Sequence, residues 1–362
     1  MNTAARLAML ESSCDARYLL CLRNEDIRWL TGFTGSTSQL LVDRQDCVGH
    51  LFVDGRYFER AHTEVSQSGA AVNIHLLPSG ESTETLFASV VGGECIEVDD
   101  THVTAAYFNR LQSAVPIHVA PSPLDNLRRV KDEAEISLIA RAAEIADIAF
   151  GALLADGLLG RTERDIRNRL DALMRMGGAD TVGFDTIVAT GANGALPHHE
   201  PSDTVVEDGH MVVIDFGAEL QGYRSDMTRT VRVGNVSNEL LRMFDIVREA
   251  QEASLATVRA GVVGSLVDQA VREVYAREGV EHEYVHGTGH GIGLFIHEPP
   301  IFSPRCDAVL GVNEVVTVEP GLYRKGVGGV RIEDLVVVGD KNCRILSNTP
   351  KDLICPRSPR TI

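Results

Sequence analysis

At 362 residues and 44% apolar composition, the chain has room for two domains and a large core, and disorder is excluded as its main state. Lys and Arg number 34 against 51 Asp and Glu; the net charge of −17 repels phosphates at long range and argues against a nucleic-acid partner. No apolar run approaches the length of a membrane span, and Met1 to Asp15 lack the basic-then-apolar pattern of a signal peptide. The seven cysteines (Cys14, Cys21, Cys47, Cys95, Cys306, Cys343 and Cys355) are odd in number, scattered and without a CxxC pair. They read as free thiols in a reducing, cytoplasmic setting.

The spacing of apolar residues predicts an α/β chain in two parts, residues 1–123 and 124–362. In the first part a helix over Thr3–Ser12 precedes strands at Tyr18–Leu22, Gln39–Val42 and His50–Val53. Asp54-Gly55-Arg56-Tyr57 reads as a turn with a helix after it, and Ala120-Pro121-Ser122-Pro123 as an extended linker. In the second part Val130–Ala155 has helical periodicity, and a further helix starts at an N-cap, Thr162, and closes near Gly177-Gly178. Strands follow at Phe184–Ala189, Met211–Phe216 and Thr228–Val233. The order then repeats: a helix over Ser237–Ala260, another from an N-cap at Ser265 to Gly279, and strands at Val315–Glu319 and Val327–Val338. Two helices then strands, twice, suggest an internal duplication about a pseudo-twofold axis.

Five segments of the second part put a metal-type ligand on or beside a strand or glycine turn. Asp215 ends the apolar run Val212-Val213-Ile214, and Asp226 follows 11 residues on, a spacing that suits facing ends of two antiparallel strands. His290 lies among Gly287, Gly289, Gly291 and Gly293, where backbone can approach a site closely. Glu319 ends the strand Val316-Thr317-Val318, and Glu333 is set on a strand with Arg331 on the same face. Carboxylates on apolar strands are costly to bury unless paired or coordinated, and two divalent cations would offset the charge of four. Four carboxylates and one imidazole suit Mn²⁺ first, with Co²⁺, Fe²⁺ or Zn²⁺ as alternatives. Two such ions about 3.5–4 Å apart typically share a bridging hydroxide, which points to hydrolysis.

These five motifs, in this order, resemble the pita-bread metallopeptidases: methionine aminopeptidase, aminopeptidase P and prolidase. Trp29-Leu30-Thr31-Gly32-Phe33-Thr34-Gly35-Ser36 and Phe52-Val53-Asp54-Gly55-Arg56-Tyr57 resemble the additional N-terminal, creatinase-like domain of the proline-specific branch. The resemblance implies a small N-terminal α/β domain over 1–123 and a catalytic pita-bread α+β domain over 124–362. It implies that Asp215 is the terminal ligand of one metal, that His290 and Glu319 hold the other, and that Asp226 and Glu333 bridge. Glu319 is then also the general base. His198, His286 and His297 match positions that line the substrate pocket and bind the scissile carbonyl or its oxyanion, and Arg331 matches an arginine near the site. Tyr323 would support the same network, while His199 and His210 match no role and are left structural.

The implied activity is hydrolysis of the Xaa-Pro bond at the N-terminus of peptides. An Xaa-Pro bond has no amide N–H and a fixed φ, so it needs a dedicated pocket. Some prolidases hold the free proline carboxylate with an arginine shortly after the His297-type residue. Here Arg305, eight residues on, is the nearest. That favours an aminopeptidase acting on peptides with proline second over a strict dipeptidase. The intact ligand set argues against a creatinase-like hydrolase and against a peptidase-like module that only binds protein partners. The resemblance also implies a homodimer, with the apolar Trp29–Phe33 segment as part of a lid.

Overall fold

The computed structural model describes residues 3–10 and 16–355. The expected end of the first helix, Ser12, and also Cys14 and Asp15, lie outside these residues. The described part of that helix is Thr3–Ala8. The chain divides into two compact units between Leu127 and Arg128.

The first unit is built on a six-stranded sheet. Its strands are β1 (Tyr18–Cys21), β2 (Gln39–Asp43), β3 (Val48–Val53), β4 (Val72–Leu76), β5 (Ile96–Asp99) and β6 (Ile117–Ala120), in the spatial order β4-β3-β2-β1-β5-β6. β1–β2 and β2–β3 are antiparallel, the remaining pairs parallel. β1 is central and buried at every residue, as its unbroken apolar run requires. Leu20, Leu41, Phe52, Phe87, Val98 and Leu111 form the core of this unit. The Asp54 turn is present: its carboxylate accepts from the Arg56 N–H at 2.9 Å, and the helix Phe58–Ser68 follows. Trp29 is 3% exposed, with the Arg6 guanidinium 4.5 Å from its ring centroid, and Phe33 is 1% exposed. The large rings of Trp29–Phe33 are therefore packed in the core of their own unit rather than presented as a lid.

Three local expectations are corrected. Ala120–Pro123 is not an extended linker, because Pro123 opens the helix Pro123–Arg129, where its fixed φ and missing N–H suit a first turn. The long helix begins at Glu133, not Val130. Asp132 caps it in a reciprocal box with Glu135, and Val130 bridges Glu314 instead. The later helix runs Gly264–Glu278 with Val263 at the cap, so Ser265 is already inside it. The expected cap at Thr162 is present, its hydroxyl accepting from the Asp165 N–H at 3.1 Å.

The second unit repeats a helix pair and a sheet. Glu133–Asp156 and Glu163–Met176 accompany a four-stranded sheet ordered Leu353–Cys355, Met227–Val233, Met211–Phe216, Ile187–Thr190. Asn238–Thr257 and Gly264–Glu278 accompany a five-stranded sheet ordered Glu298–Phe302, Gly289–Gly291, Val315–Val318, Asp334–Val338, Cys343–Ile345. Single bridges at matching places, Thr162–Val205 and Val263–Val309, mark the repetition. The expected continuous strand Val327–Val338 is broken. Gly328–Arg331 pairs with Gly321–Arg324, Asp334–Val338 pairs with Val315–Val318, and Glu333 lies between the two strands rather than on one. Thr230 ties this break to the other sheet: its hydroxyl donates to the Arg331 carbonyl at 2.8 Å, and the Glu333 N–H donates to the Thr228 carbonyl at 3.1 Å.

Candidate active site

Asp215 and Asp226 meet because the hairpin register dictates it. Met211–Phe216 pairs antiparallel with Met227–Val233, Thr228 stands opposite Asp215, and Asp226 immediately precedes the second strand. His290 lies on the short strand Gly289–Gly291. A Cβ on Gly289 would come 2.1 Å from the Thr317 carbonyl oxygen, and one on Gly291 2.2 Å from that of Pro299. Only glycine on either side lets this strand sit so tightly between its neighbours and point His290 at the carboxylates. Glu319 follows Val315–Val318 directly, with its N–H on the Thr288 carbonyl at 2.8 Å.

The ligand atoms of Asp226, His290 and Glu333 all lie within 4.8 Å of one another. His290 Nε2 is 3.5 Å from both Asp226 Oδ2 and Glu319 Oε1. Its Nδ1 is 2.9 Å from the Gly291 carbonyl, which can only accept, so Nδ1 carries the proton and Nε2 the lone pair. Burial lowers His290's pKa to about 4, so at neutral pH the ring itself is neutral and its Nε2 lone pair faces two carboxyl oxygens. Asp215 Oδ1 and Glu333 Oε1 are buried with no hydrogen-bond partner. Acceptors gathered without donors fit a cation, and the oxygen-rich donor set with one imidazole fits a hard or borderline divalent one.

The electrostatics agree. Burial raises the Asp226 carboxyl well above its ordinary range, and Glu333, Asp215 and Glu319 push it further. Glu333 is raised by burial and then by Glu319 and Asp215. Burial lifts Glu319 to about 7, with Arg331 pulling down and Asp215 pushing up. Like charges this close keep their protons unless cations replace them.

Arg331 organises one side of the cluster. Its Nη2 donates to Asp215 Oδ2 at 2.6 Å, Nε to the Thr228 hydroxyl at 3.0 Å, and Nη1 to the Tyr323 hydroxyl at 3.0 Å and the Pro197 carbonyl at 3.2 Å. Burial opposes its charge, but Tyr323, Asp215 and Glu319 outweigh burial and keep it protonated. Tyr323, 2.8 Å from His286 Nε2, carries the chain on. His286 Nδ1 lies 2.7 Å from the Gly287 carbonyl and so bears the ring proton. Both ring nitrogens are thus engaged. Burial lowers its pKa to about 4, so His286 is neutral and its one ring proton is directed at the Gly287 carbonyl.

A cavity of about 540 Å³ opens onto this cluster. All nine expected site residues (His198, Asp215, Asp226, His286, His290, His297, Glu319, Arg331 and Glu333) line it, together with Phe184, Ile187, Pro197, Ile296 and Ile301. His297 is exposed and sits edge-on to His290, ring centroids 4.5 Å apart. His199 and His210 are outside the lining: His199 bonds Glu163 at 2.8 Å and His210 the Thr190 hydroxyl at 3.0 Å. The apolar wall was not anticipated, since single apolar residues at loop ends carry no local signal of a pocket. Thr228, which donates to Glu333 Oε2 at 2.8 Å, was missed because its partner is 105 residues away in the chain.

Residues 137–340 match the model of metallopeptidase family M24, and residues 3–130 that of the creatinase/prolidase N-terminal domain. A protein named putative Xaa-Pro aminopeptidase from Mycoplasma pneumoniae is 37% identical over 315 residues, 86% of this chain and 87% of that one. Among solved structures, an Xaa-Pro dipeptidase from Bacillus anthracis superposes with a TM-score of 0.91 at 33% identity, over 97% of this chain and 98% of that one. An X-Pro aminopeptidase from Thermotoga maritima gives a TM-score of 0.87 at 35% identity, over 96% and 99%.

Proposed function

The chain belongs to metallopeptidase family M24, in its Xaa-Pro branch, and on that premise we propose that it is an Xaa-Pro aminopeptidase that accepts peptides longer than two residues. The observation that carries this choice is the charge of the cavity wall. Among the described lining residues Arg331 is the one Lys or Arg, and four of its five N–H donors are already engaged, by Asp215, Thr228, Tyr323 and Pro197. A strict dipeptidase must neutralise the free carboxylate of the proline as well. Arg305 is exposed and does not line the cavity. Without a cationic end wall, an amide continuing past proline fits better than a carboxylate.

Asp215, Asp226, His290, Glu319 and Glu333 would hold two divalent ions, Mn²⁺ first on the chemistry of the donors. Bound there, the ions supply Lewis acidity to the scissile carbonyl and make a water acidic enough to attack at neutral pH. The chain's own groups do the rest. Glu319 takes a proton from the attacking water and returns it to the proline nitrogen as that nitrogen leaves. His198 and His297, exposed in the cavity, donate to the developing oxyanion. His286 holds the Tyr323 hydroxyl, and through it Arg331 and Asp215, in place. The substrate ammonium lies near Asp215, whose charge measures off the free N-terminus. Phe184, Ile187, Ile296 and Ile301 exclude water around the proline ring.

The test is kcat/KM for Xaa-Pro against Xaa-Pro-Xaa at equal Mn²⁺ loading. The tripeptide should be cut at least as well as the dipeptide. A dipeptide preference above about tenfold, roughly 1.4 kcal/mol of transition-state binding, would show a carboxylate clamp and make the enzyme a dipeptidase.

A further inference from the structure

His198 makes no hydrogen bond through its side chain among the described residues and is exposed in the cavity, so its place is set by its backbone alone. The segment that carries it, residues 191–204 after the strand Ile187–Thr190, is irregular apart from a short 3₁₀ turn at Gly191–Ala195. Such a segment wanders unless it is tied down.

One carboxylate ties it. Glu163, in the first turn of the Glu163–Met176 helix, is 0% exposed. Its Oε1 accepts from the Thr190 N–H at 2.8 Å and Asn193 Nδ2 at 3.0 Å. Its Oε2 accepts from His199 Nε2 at 2.8 Å, the Ser202 N–H at 2.9 Å and the Ser202 hydroxyl at 2.6 Å. These five donors come from both ends of the segment, and one belongs to the residue directly after His198. The helix backbone adds two more ties, Glu163 N–H to the Thr204 carbonyl at 3.1 Å and Arg164 N–H to the Ser202 carbonyl at 3.0 Å. Burial alone would raise Glu163's pKa, but its donors outweigh burial and hold the carboxyl below its ordinary value, as full use of both oxygens requires.

We propose that Glu163 is the positioning residue for His198: its buried carboxylate, bonded at Thr190, Asn193, His199 and Ser202, fixes the segment that aims His198 into the cavity. Glu163 touches no substrate and acts through His198. The inference rests on the reading of His198 as a donor to the reacting carbonyl. Misplacement of such a donor by an ångström costs up to roughly a hundredfold in rate.

A double-mutant cycle on the Mn²⁺-loaded enzyme tests this, with kcat/KM on an Xaa-Pro-Xaa peptide and bound metal as readouts. Glu163→Gln keeps the shape but turns an amide N–H₂ toward donors. It should lower kcat/KM by about tenfold or more with metal content unchanged. In the His198→Ala background the same change should cost less than about threefold, because the group it aims is gone. Multiplicative losses in the double variant would overturn the proposal and leave His198's role intact. A silent His198→Ala would overturn that role and this inference together. If Glu163→Gln does not yield folded protein, Ser202→Ala, which removes one of the five donors, enters the same cycle with the same two outcomes.

Discussion

Replacing Lys131 by Met should destabilise the second unit by an amount its geometry sets. Lys131 Nζ lies 2.9 Å from Glu298 Oε2, with side chains 2% and 1% exposed. Methionine fills the space of the lysine stem but strands a buried carboxylate. Removing one partner of a buried ion pair typically costs about 3–5 kcal/mol. Here Glu298 keeps the Phe295 N–H at 3.2 Å and the Arg128 Nε at 3.6 Å, so the lower end, about 3 kcal/mol, applies. For a unit of this size that corresponds to a fall of about 6–12 °C in Tm. Trp29 is the protein's one tryptophan and belongs to the first unit, so the transition should be followed by far-UV circular dichroism, at matched metal loading. Burial raises the Glu298 pKa, but the charges of Lys131 and Arg128 outweigh it and leave the pKa depressed. A depressed carboxylate contributes stability above its unfolded pKa of about 4.3 and loses it as pH falls through the folded value. The gap between wild type and Lys131→Met should therefore narrow in acid. Adding Glu298→Gln to Lys131→Met removes the stranded charge and should restore at least half of the loss. A Tm change under about 2 °C for Lys131→Met would refute the reasoning, because it would mean the carboxylate finds solvent or another cation.

Other outcomes follow from the site. Asp226→Asn and Glu333→Gln, each altering a proposed bridge, should purify with neither metal ion, as read by elemental analysis; full metal content and activity in either would remove the bridging assignment. Metal-stripped protein should lose stability as pH rises from about 4.3 toward 7, because Glu319's folded pKa is raised to about 7 and the native state holds the extra proton over that window. Calorimetry of stripped and loaded enzyme across that range checks the sign, and a stripped protein that gains stability instead would contradict it. His297→Ala should keep its metal and lose about 10²–10³ in kcat, the typical cost of one oxyanion donor; metal content falling together with rate would make His297 a ligand.

Local pattern carried much of this site. The hairpin that joins Asp215 to Asp226 needs only two apolar runs at the right spacing, because an antiparallel register follows from alternation and a short connection. Thr162 could be read as a cap because its partner is three residues away. Ser265 and Asp268 present the same pattern, yet there the cap does not form. Asp268 is fully buried and bonds the Thr288 hydroxyl at 2.8 Å and Arg272 at 2.7 Å. Thr288 is 20 residues away, in the segment of His290, and nothing near Asp268 in the chain announces it. Glu163 likewise reads as an ordinary acidic residue in a first helical turn. Its five donors lie 27 to 39 residues on. Glu333 could be read as a candidate ligand, but its placement between two strands depends on Thr228 and Thr230 from the other sheet. The sequence by itself determined the apolar periodicities, the turns and the residue types able to hold metal, since these act over a few residues. Tertiary structure alone decided which carboxylates gather with oxygens left without a donor, which meet N–H and hydroxyl donors, and which histidine ring nitrogens are already bonded. Those choices are made by burial and by partners brought together from distant parts of the chain, where an unpaired charge is most costly.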